Sequence, residues 1–376
     1  MLLSTDHQMI RDAVRDYVQR EIAPHAAAWD RSAHFPKAQL QGLAALGCYG
    51  VAVPEALGGA GLDYLSLSLI LEEIAAGDGA TSTIVSVNNC PVCSILMGWG
   101  NAGQQQKYLV PVARGDMLGA FCLTEPHVGS EAGGLKTTAS KDGNDYVING
   151  VKQFITSGKN GDVAIVMAVT DKAAGKKGIS AFIVETKTPG YDVARLEEKL
   201  GQHASDTVQI RFENCRVPAA NLIGEEGQGL KIALSGLEGG RIGIASQCLG
   251  MARAAFEAAL RYSKERVSFG KPIFEHQAVQ FRLADMATQI EVARQMVHHA
   301  AMLKDADLPC LKEAAMAKLF ASEMAERVCS DAIQVHGGYG YVSDFPVERI
   351  YRDVRVCQIY EGTSDVQKIL IGRALA

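Results

Sequence analysis

The sequence predicts a multidomain α+β protein in which helical regions flank a central β segment. Three observations carry this. The chain has 376 residues, too many for one small core and enough for two or three domains. Through the first 115 residues, apolar side chains recur at three- and four-residue spacing, the period of an amphipathic helix. From 116 to 225 that period gives way to short apolar runs punctuated by turn dipeptides, and from 226 it returns. The expected domains are therefore 1–115 (helical), 116–225 (β) and 226–376 (helical bundle).

In the first domain, Ile10, Val14 and Val18 share one helix face, with Arg11, Asp12, Arg15 and Asp16 between them. Pro24 marks a boundary or kink. A short helix is expected over 36–46, stopped by Gly47. Val53 to Gly61 is a glycine-rich loop, where missing side chains permit positive φ and close backbone approach. Helices are expected again over 64–76 and 104–112. In the second domain strands are expected at 118–123, 145–148, 163–170, 180–184 and 208–212. Gly143-Asn144, Asn149-Gly150, Asn160-Gly161 and Pro189-Gly190 are the expected turns. In the third, 245–261 is rich in alanine and other helix formers, and 281–303 and 311–328 keep the helical period. Asp305 to Pro309 is the turn between the last two, and long helices with short connections make a bundle.

Composition narrows the function. The hydrophobic share of 48% and charged share of 21% fit a globular protein. A net charge of -5 gives no large positive field and argues against nucleic-acid binding, while leaving room for a local basic patch facing a phosphorylated ligand. No apolar run reaches the roughly 18 residues of a membrane span, so none is expected. The N-terminus enters a helical pattern without a signal-like or basic leader. The expected location is the bacterial cytoplasm, and a mitochondrial matrix protein with its leader removed reads the same way. Nine scattered cysteines are no disulfide framework. Cys90 and Cys93 lack a second pair at metal-site spacing, and His298 and His299, being adjacent, point apart on a helix, so no metal is expected.

Four separated segments carry the chemistry: Gly119 to Gly133, Asn149 to Gly158, Arg266 to Gln277, and Gln334 to Gly340 running on to Tyr351-Arg352-Asp353 and Glu361-Gly362-Thr363. Together and in this order, across essentially the whole chain, they resemble the acyl-CoA dehydrogenase family, in texture its short-chain or branched short-chain members. The resemblance implies an N-terminal helical domain, a central β barrel-like domain and a C-terminal four-helix bundle. It also implies FAD as cofactor, an acyl-CoA substrate, a homotetramer, and an electron-transfer flavoprotein as acceptor. The implied reaction is α,β-dehydrogenation of a short-chain or branched short-chain acyl-CoA to the trans-2-enoyl-CoA.

The same resemblance distributes roles. Glu361 takes the proton alpha to the thioester, a hydride leaves the beta carbon for FAD, and the Glu361 N–H with a flavin ribityl hydroxyl polarises the thioester oxygen. A water-poor pocket should raise the Glu361 pKa. Tyr360 supplies bulk beside it, and Gly362 lets backbone or substrate come close. Some relatives carry the base on a bundle helix just before an arginine. Here that arginine is Arg241 and its predecessor is Gly240, which points to Glu361 instead. Glu238 and Arg241 face the CoA part of the substrate. Phe121, Leu123, Thr124 and Ser130 line the β-domain side of the flavin, with Ser130 also on the substrate path. Phe154, Thr156 and Ser157 lie along the flavin, Phe154 standing where relatives often have tryptophan. Arg266, Ser268 and Phe269 hold the pyrophosphate and adenine across a subunit boundary, a task suited to arginine's planar fork. Gln277, Gln334, Gly338 and Thr363 complete the cofactor contacts. Gly58 to Gly61 lacks the strand–turn–helix setting of a dinucleotide loop. No arginine occurs from Thr81 through Gly100, which disfavours a dicarboxylic substrate. The other readings are an acyl-CoA oxidase, a desulfinase-like acyl-CoA flavoenzyme, and a noncatalytic acyl-CoA-binding protein.

Overall fold

In a computed structural model, residues 2–376 are described. Helices α1 (Thr5–Glu21), α2 (Ala26–Ser32), α3 (Lys37–Ala45), α4 (Tyr64–Gly77), α5 (Gly79–Val87), α6 (Ser94–Trp99), α7 (Ala102–Gln104) and α8 (Val110–Arg114) come first. Strands β1 (Gly119–Cys122), β2 (Thr138–Asp142), β3 (Asp145–Thr156), β4 (Val163–Val169), β5 (Ile179–Glu185), β6 (Tyr191–Leu196), β7 (Thr207–Pro218) and β8 (Leu222–Ile223) follow. Then α9 (Gly229–Glu265), a small ribbon of β9 (Val267–Ser268) and β10 (Lys271–Pro272), α10 (Gln277–Asp305), α11 (Leu311–His336), α12 (Val347–Val354) and α13 (Ser364–Ala374) complete the chain.

Strand order is β6-β7-β3-β2-β4-β5-β8; β1 runs parallel to β4 along Val163–Val166, on the edge that β2 meets at Val169. The sheet is mixed, and β4 is apolar on both faces. Val163, Ile165 and Met167 pack with Leu96, Tyr108 and Ile232 of the helices, while Ala164, Val166 and Ala168 pack with Phe182 and Ile210 inside the β domain. The strand's uninterrupted apolar run, Val163–Val169, is the consequence of being covered twice.

Three differences from the sequence reading have physical causes. Asn149-Gly150 is no turn: β3 runs straight through it with a register shift, and Gly150 supplies φ 150 where a Cβ would lie 2.5 Å from Thr137 Oγ1. Helix α9 is 37 residues long, one element extending well beyond the alanine-rich stretch 245–261. Its glycines weaken the helical signal but sit where neighbours press: a Cβ at Gly250 would lie 2.1 Å from Glu72 O, and one at Gly243 2.7 Å from Ser86 Oγ. The third difference concerns apolar length. Gly79–Trp99 reaches a mean hydropathy of 1.2, long and apolar enough by composition to cross a membrane, contrary to expectation; 89% of the window is buried inside the protein, so its apolarity serves the core. Its Ser, Thr and Asn side chains break the run to the eye without lowering the average below that of a span.

The three regions are joined by buried charge and hydrogen bonds. Glu72 and Glu73 on α4 meet Arg253 of α9 at 3.1 and 2.7 Å, Arg294 of α10 at 3.0 Å and Arg15 of α1 at 2.7 Å. A second cluster links α5, the 197–206 loop and the C-terminal region. Thr83 Oγ1 donates to Gln202 Oε1 at 2.8 Å, Gln202 N bonds the Asp353 carboxylate, and Arg349 lies 3.5 Å from Asp353 and 3.4 Å from Asp78.

Candidate active site

Glu361 sits in the turn between the 3₁₀ segment Arg355–Gln358 and α13. Thr363 caps α13 by accepting a hydrogen bond from Val366 N at 3.3 Å, which fixes where the turn ends. Glu361 and Gly362 both have left-handed backbone, φ 53 and 92. For a glutamate this conformation is costly and needs support from its surroundings. Two buried side chains give that support: Lys318 Nζ donates to Gly362 O at 2.7 Å, and Gln367 Nε2 donates to the same oxygen at 2.9 Å and to Glu361 O at 3.3 Å.

The turn aims the carboxylate at α9. A Cβ at Gly240 would lie 2.0 Å from Glu361 Oε2, so only glycine leaves the space. That buried oxygen has no hydrogen-bond partner. Burial pushes the Glu361 pKa up, against the opposing charges of Arg241 and Lys318, to about 7. Arg241 is only 5% exposed, and its Nε and Nη1 are likewise without partners. Glu238 is engaged: Lys304 Nζ donates to it at 2.7 Å and Cys310 Sγ at 3.6 Å. Tyr360 turns its hydroxyl inward, donating to Gln247 Oε1 at 2.7 Å with Cys357 Sγ 3.4 Å away, so it anchors the turn as well as giving bulk beside Glu361.

On the β domain, two of the expected segments are stitched together. Gln153 N donates to Thr124 O at 2.9 Å, and buried Lys152 donates to Leu123 O at 3.1 Å and to Glu125 Oε1 at 2.9 Å. Glu125 also accepts from Lys136 N and Thr137 N, at 2.7 and 3.0 Å. Phe121, Leu123 and Thr124 thereby adjoin Phe154, Thr156 and Ser157 at the ends of β1 and β3. Phe154 is 63% exposed, Ser157 has a buried Oγ with no partner, and Ser130 lies on an exposed loop.

A cavity of about 690 Å³ lies beyond the C-terminus of α9. Arg266, Ser268, Gln334 and Gly338 line it with Tyr262 and Tyr339. The Arg266 guanidinium stands 5.9 Å from the Tyr339 ring centroid. An arginine fork beside aromatic faces, in a cavity of this size, fits the adenine–pyrophosphate end of a dinucleotide. Phe269, 95% exposed, and Gln277, at the start of α10, do not line it.

Eight non-glycine residues have positive φ among those described, and four of them are expected site residues: Phe154, Ser157, Phe269 and Glu361. Backbone strain of this kind tends to cluster at functional sites. Sequence reasoning passed over Lys318, Gln367, Gln247 and the Glu125–Lys152 pair. A signal existed for Lys318, which shares one alanine-lined helix face with Ala314, Ala321 and Ala325.

Comparison with known proteins gives three family-model matches: acyl-CoA dehydrogenase N-terminal domain over residues 4–116, middle domain over 120–215 and C-terminal domain over 227–376. An acyl-CoA dehydrogenase of Bacillus subtilis is 47% identical over 375 residues, covering 100% of this chain and 99% of the relative. The mitochondrial short-chain specific acyl-CoA dehydrogenase of Mus musculus is 47% identical, covering 98% of this chain and 90% of the relative. The solved structure of butyryl-CoA dehydrogenase from Megasphaera elsdenii superposes with a TM-score of 0.97 at 42% identity, covering 100% of this chain and 99% of that one.

Proposed function

The chain belongs to the acyl-CoA dehydrogenase family, FAD-dependent oxidoreductases acting on CH–CH bonds, and from that premise we propose that Glu361 abstracts the alpha proton of a short-chain or branched short-chain acyl-CoA. The single observation that carries the assignment is the Glu361 carboxylate itself, held on a left-handed turn with one buried oxygen left free of partners. A base must reach a proton without first breaking a bond of its own, and its pKa must lie near the working pH. Glu361 meets both conditions, with its pKa raised to about 7. Buried Arg241 and Lys318 add positive charge that favours the carboxylate before transfer and the enolate-like negative charge that develops during it.

Leu123, Thr124, Phe154, Thr156 and Ser157 are proposed to hold the flavin ring. The cavity at Arg266, Ser268, Gln334 and Gly338 is proposed to take the adenine–pyrophosphate end from a neighbouring copy in a homotetramer, with Phe269 and Gln277 at its margin. Bound FAD would supply the acceptor for the hydride leaving the beta carbon. Its electrons are proposed to pass to an electron-transfer flavoprotein. A short acyl chain is supported by the named relatives. The proposed compartment is the bacterial cytoplasm; the relatives include a bacterial and a mitochondrial enzyme.

The test is anaerobic bleaching of the FAD-loaded protein with butyryl-, isobutyryl-, octanoyl- and glutaryl-CoA. Fast bleaching by a four-carbon member is the expected result. Preference for octanoyl or glutaryl would overturn the chain-length reading, and peroxide release without an added acceptor would favour oxidase chemistry. Glu361→Gln should keep bound flavin and lose about 10²–10⁴-fold in bleaching rate.

A further inference from the structure

Lys318 is an unusual residue for its place. It lies on α11 with 0% exposure, and its ammonium donates to Gly362 O, the carbonyl next to the proposed base, at 2.7 Å. Among the described residues no carboxylate lies within ion-pair distance of it. Buried lysines are rare without a compensating anion, because leaving an ammonium alone in low dielectric is costly. The groups facing it are few. Cys248 on α9, Cys357 in the 3₁₀ segment and Glu361 on the turn are the acidic ones, and Arg241 on α9 is the other cation. Glu238 cannot serve, since Lys304 already holds it at 2.7 Å. Glu361 in turn is faced by two cations, Arg241 and Lys318, and its charge helps push the Cys90 thiol up.

We propose that Lys318 is a positioning residue of the base: its ammonium clamps the Gly362 carbonyl and, together with Arg241, is a buried countercharge of the Glu361 carboxylate. One group thus performs two tasks. The hydrogen bond holds the left-handed turn that aims the carboxylate at Gly240. The charge keeps that carboxylate ionised in a pocket whose burial favours the protonated acid. The sign follows: removing the cation raises the Glu361 pKa, so the working base appears only at higher pH.

This inference rests on Glu361 being the base, and the experiment separates the two. Lys318→Met removes charge and donor; Lys318→Gln keeps a donor and removes the charge. In FAD-loaded enzyme, the acid limb of kcat/KM should move up by about one pH unit in both variants, a loss of about tenfold on the acid limb that recovers at high pH. A rate lowered equally at all pH values, or a limb that stays put, would overturn the countercharge. Cys357→Ala is the control for the rival anion, the Cys357 thiolate; a shifted limb there and none at Lys318 would overturn the proposal. A second readout needs no turnover. Thermal midpoints of Lys318→Met, Glu361→Gln and the double variant form a cycle, and removing one member of a buried charge pair costs more than removing both. The double variant should be more stable than the sum of the singles predicts, even if Lys318→Met alone folds poorly. Strict additivity would count against the pair. If Glu361→Gln bleaches normally, the base assignment fails; if it is inactive while the Lys318 variants show neither effect, only the countercharge fails.

Discussion

At the proposed base, one carboxylate oxygen is buried without a hydrogen-bond partner, and two cations, Arg241 and Lys318, face the group. The Glu361 pKa near 7 has a direct consequence for rate. Only the ionised base can accept a proton, so kcat/KM should fall about tenfold for each pH unit below that value and level off above it. A pH profile of anaerobic flavin reduction checks this; a flat profile between pH 5.5 and 7 would remove the assignment. Gly240 offers a sharper probe. Alanine there places a Cβ 2.0 Å from Oε2, and the carboxylate must swing away. Gly240→Ala should therefore bind flavin normally and bleach about 10²-fold more slowly, since misplacing a reacting group by about an ångström costs that much. Equal flavin stoichiometry with equal rates would show that the turn has slack. Glu361 as the candidate base was legible in the segment Ile359 to Gln367. Its left-handed backbone and its unpartnered oxygen were not, because Gly240 and Lys318, remote in sequence, create them.

Helices and strands reach the site through contacts that sequence period does not encode. The glycines of α9 weaken a helical pattern when read locally, so only 245–261 stood out. In the structure those glycines are where α4, the 86–95 segment and Glu361 come closest. On the β side, the edges of the strands were approximate, and Asn149-Gly150 resembled a turn because a bulge uses the same residues as one. The meeting of the 123–125 segment with β3 depends on Lys152 and Glu125, buried at 2.9 Å from each other. Lys152→Met leaves Glu125 without its partner, and a buried pair broken in this way costs about 3–5 kcal/mol. Chemical denaturation should show that loss, and flavin should dissociate more readily because Leu123 O loses the Lys152 ammonium that ties it to β3. Unchanged flavin affinity would mean that the Gln153–Thr124 bond suffices to hold the two segments.

At the scale of the molecule, the three-part division was legible because the hydrophobic period changes twice. The joints between the parts were not, since they are made by single polar residues. Gln202, on a β-domain loop with φ 52, reaches both Thr83 of the first helical region and Asp353 of the last. Burial, with Asp78 nearby, pushes the Asp353 pKa up, against the pull of Arg349, to about 7. An acid whose pKa is higher folded than unfolded binds protons more tightly in the native state. Its contribution to stability is whole at low pH and is lost as pH rises from about 4 through 7. Asp353→Asn removes that loss, so its melting temperature should gain on the parent's steadily across this interval. A constant difference between the two melting curves would mean that Asp353 is ionised throughout.

Helix α9 is shaped from both ends of the chain. Its glycine-laden first half has weak reason to coil by itself, and the groups that press on those glycines lie earlier in the chain, on α4 and the 86–95 segment, and later, at Glu361. The bare strip of backbone along this helix is therefore a shared seat, kept open by the missing side chains for whatever the two ends of the sequence bring to it.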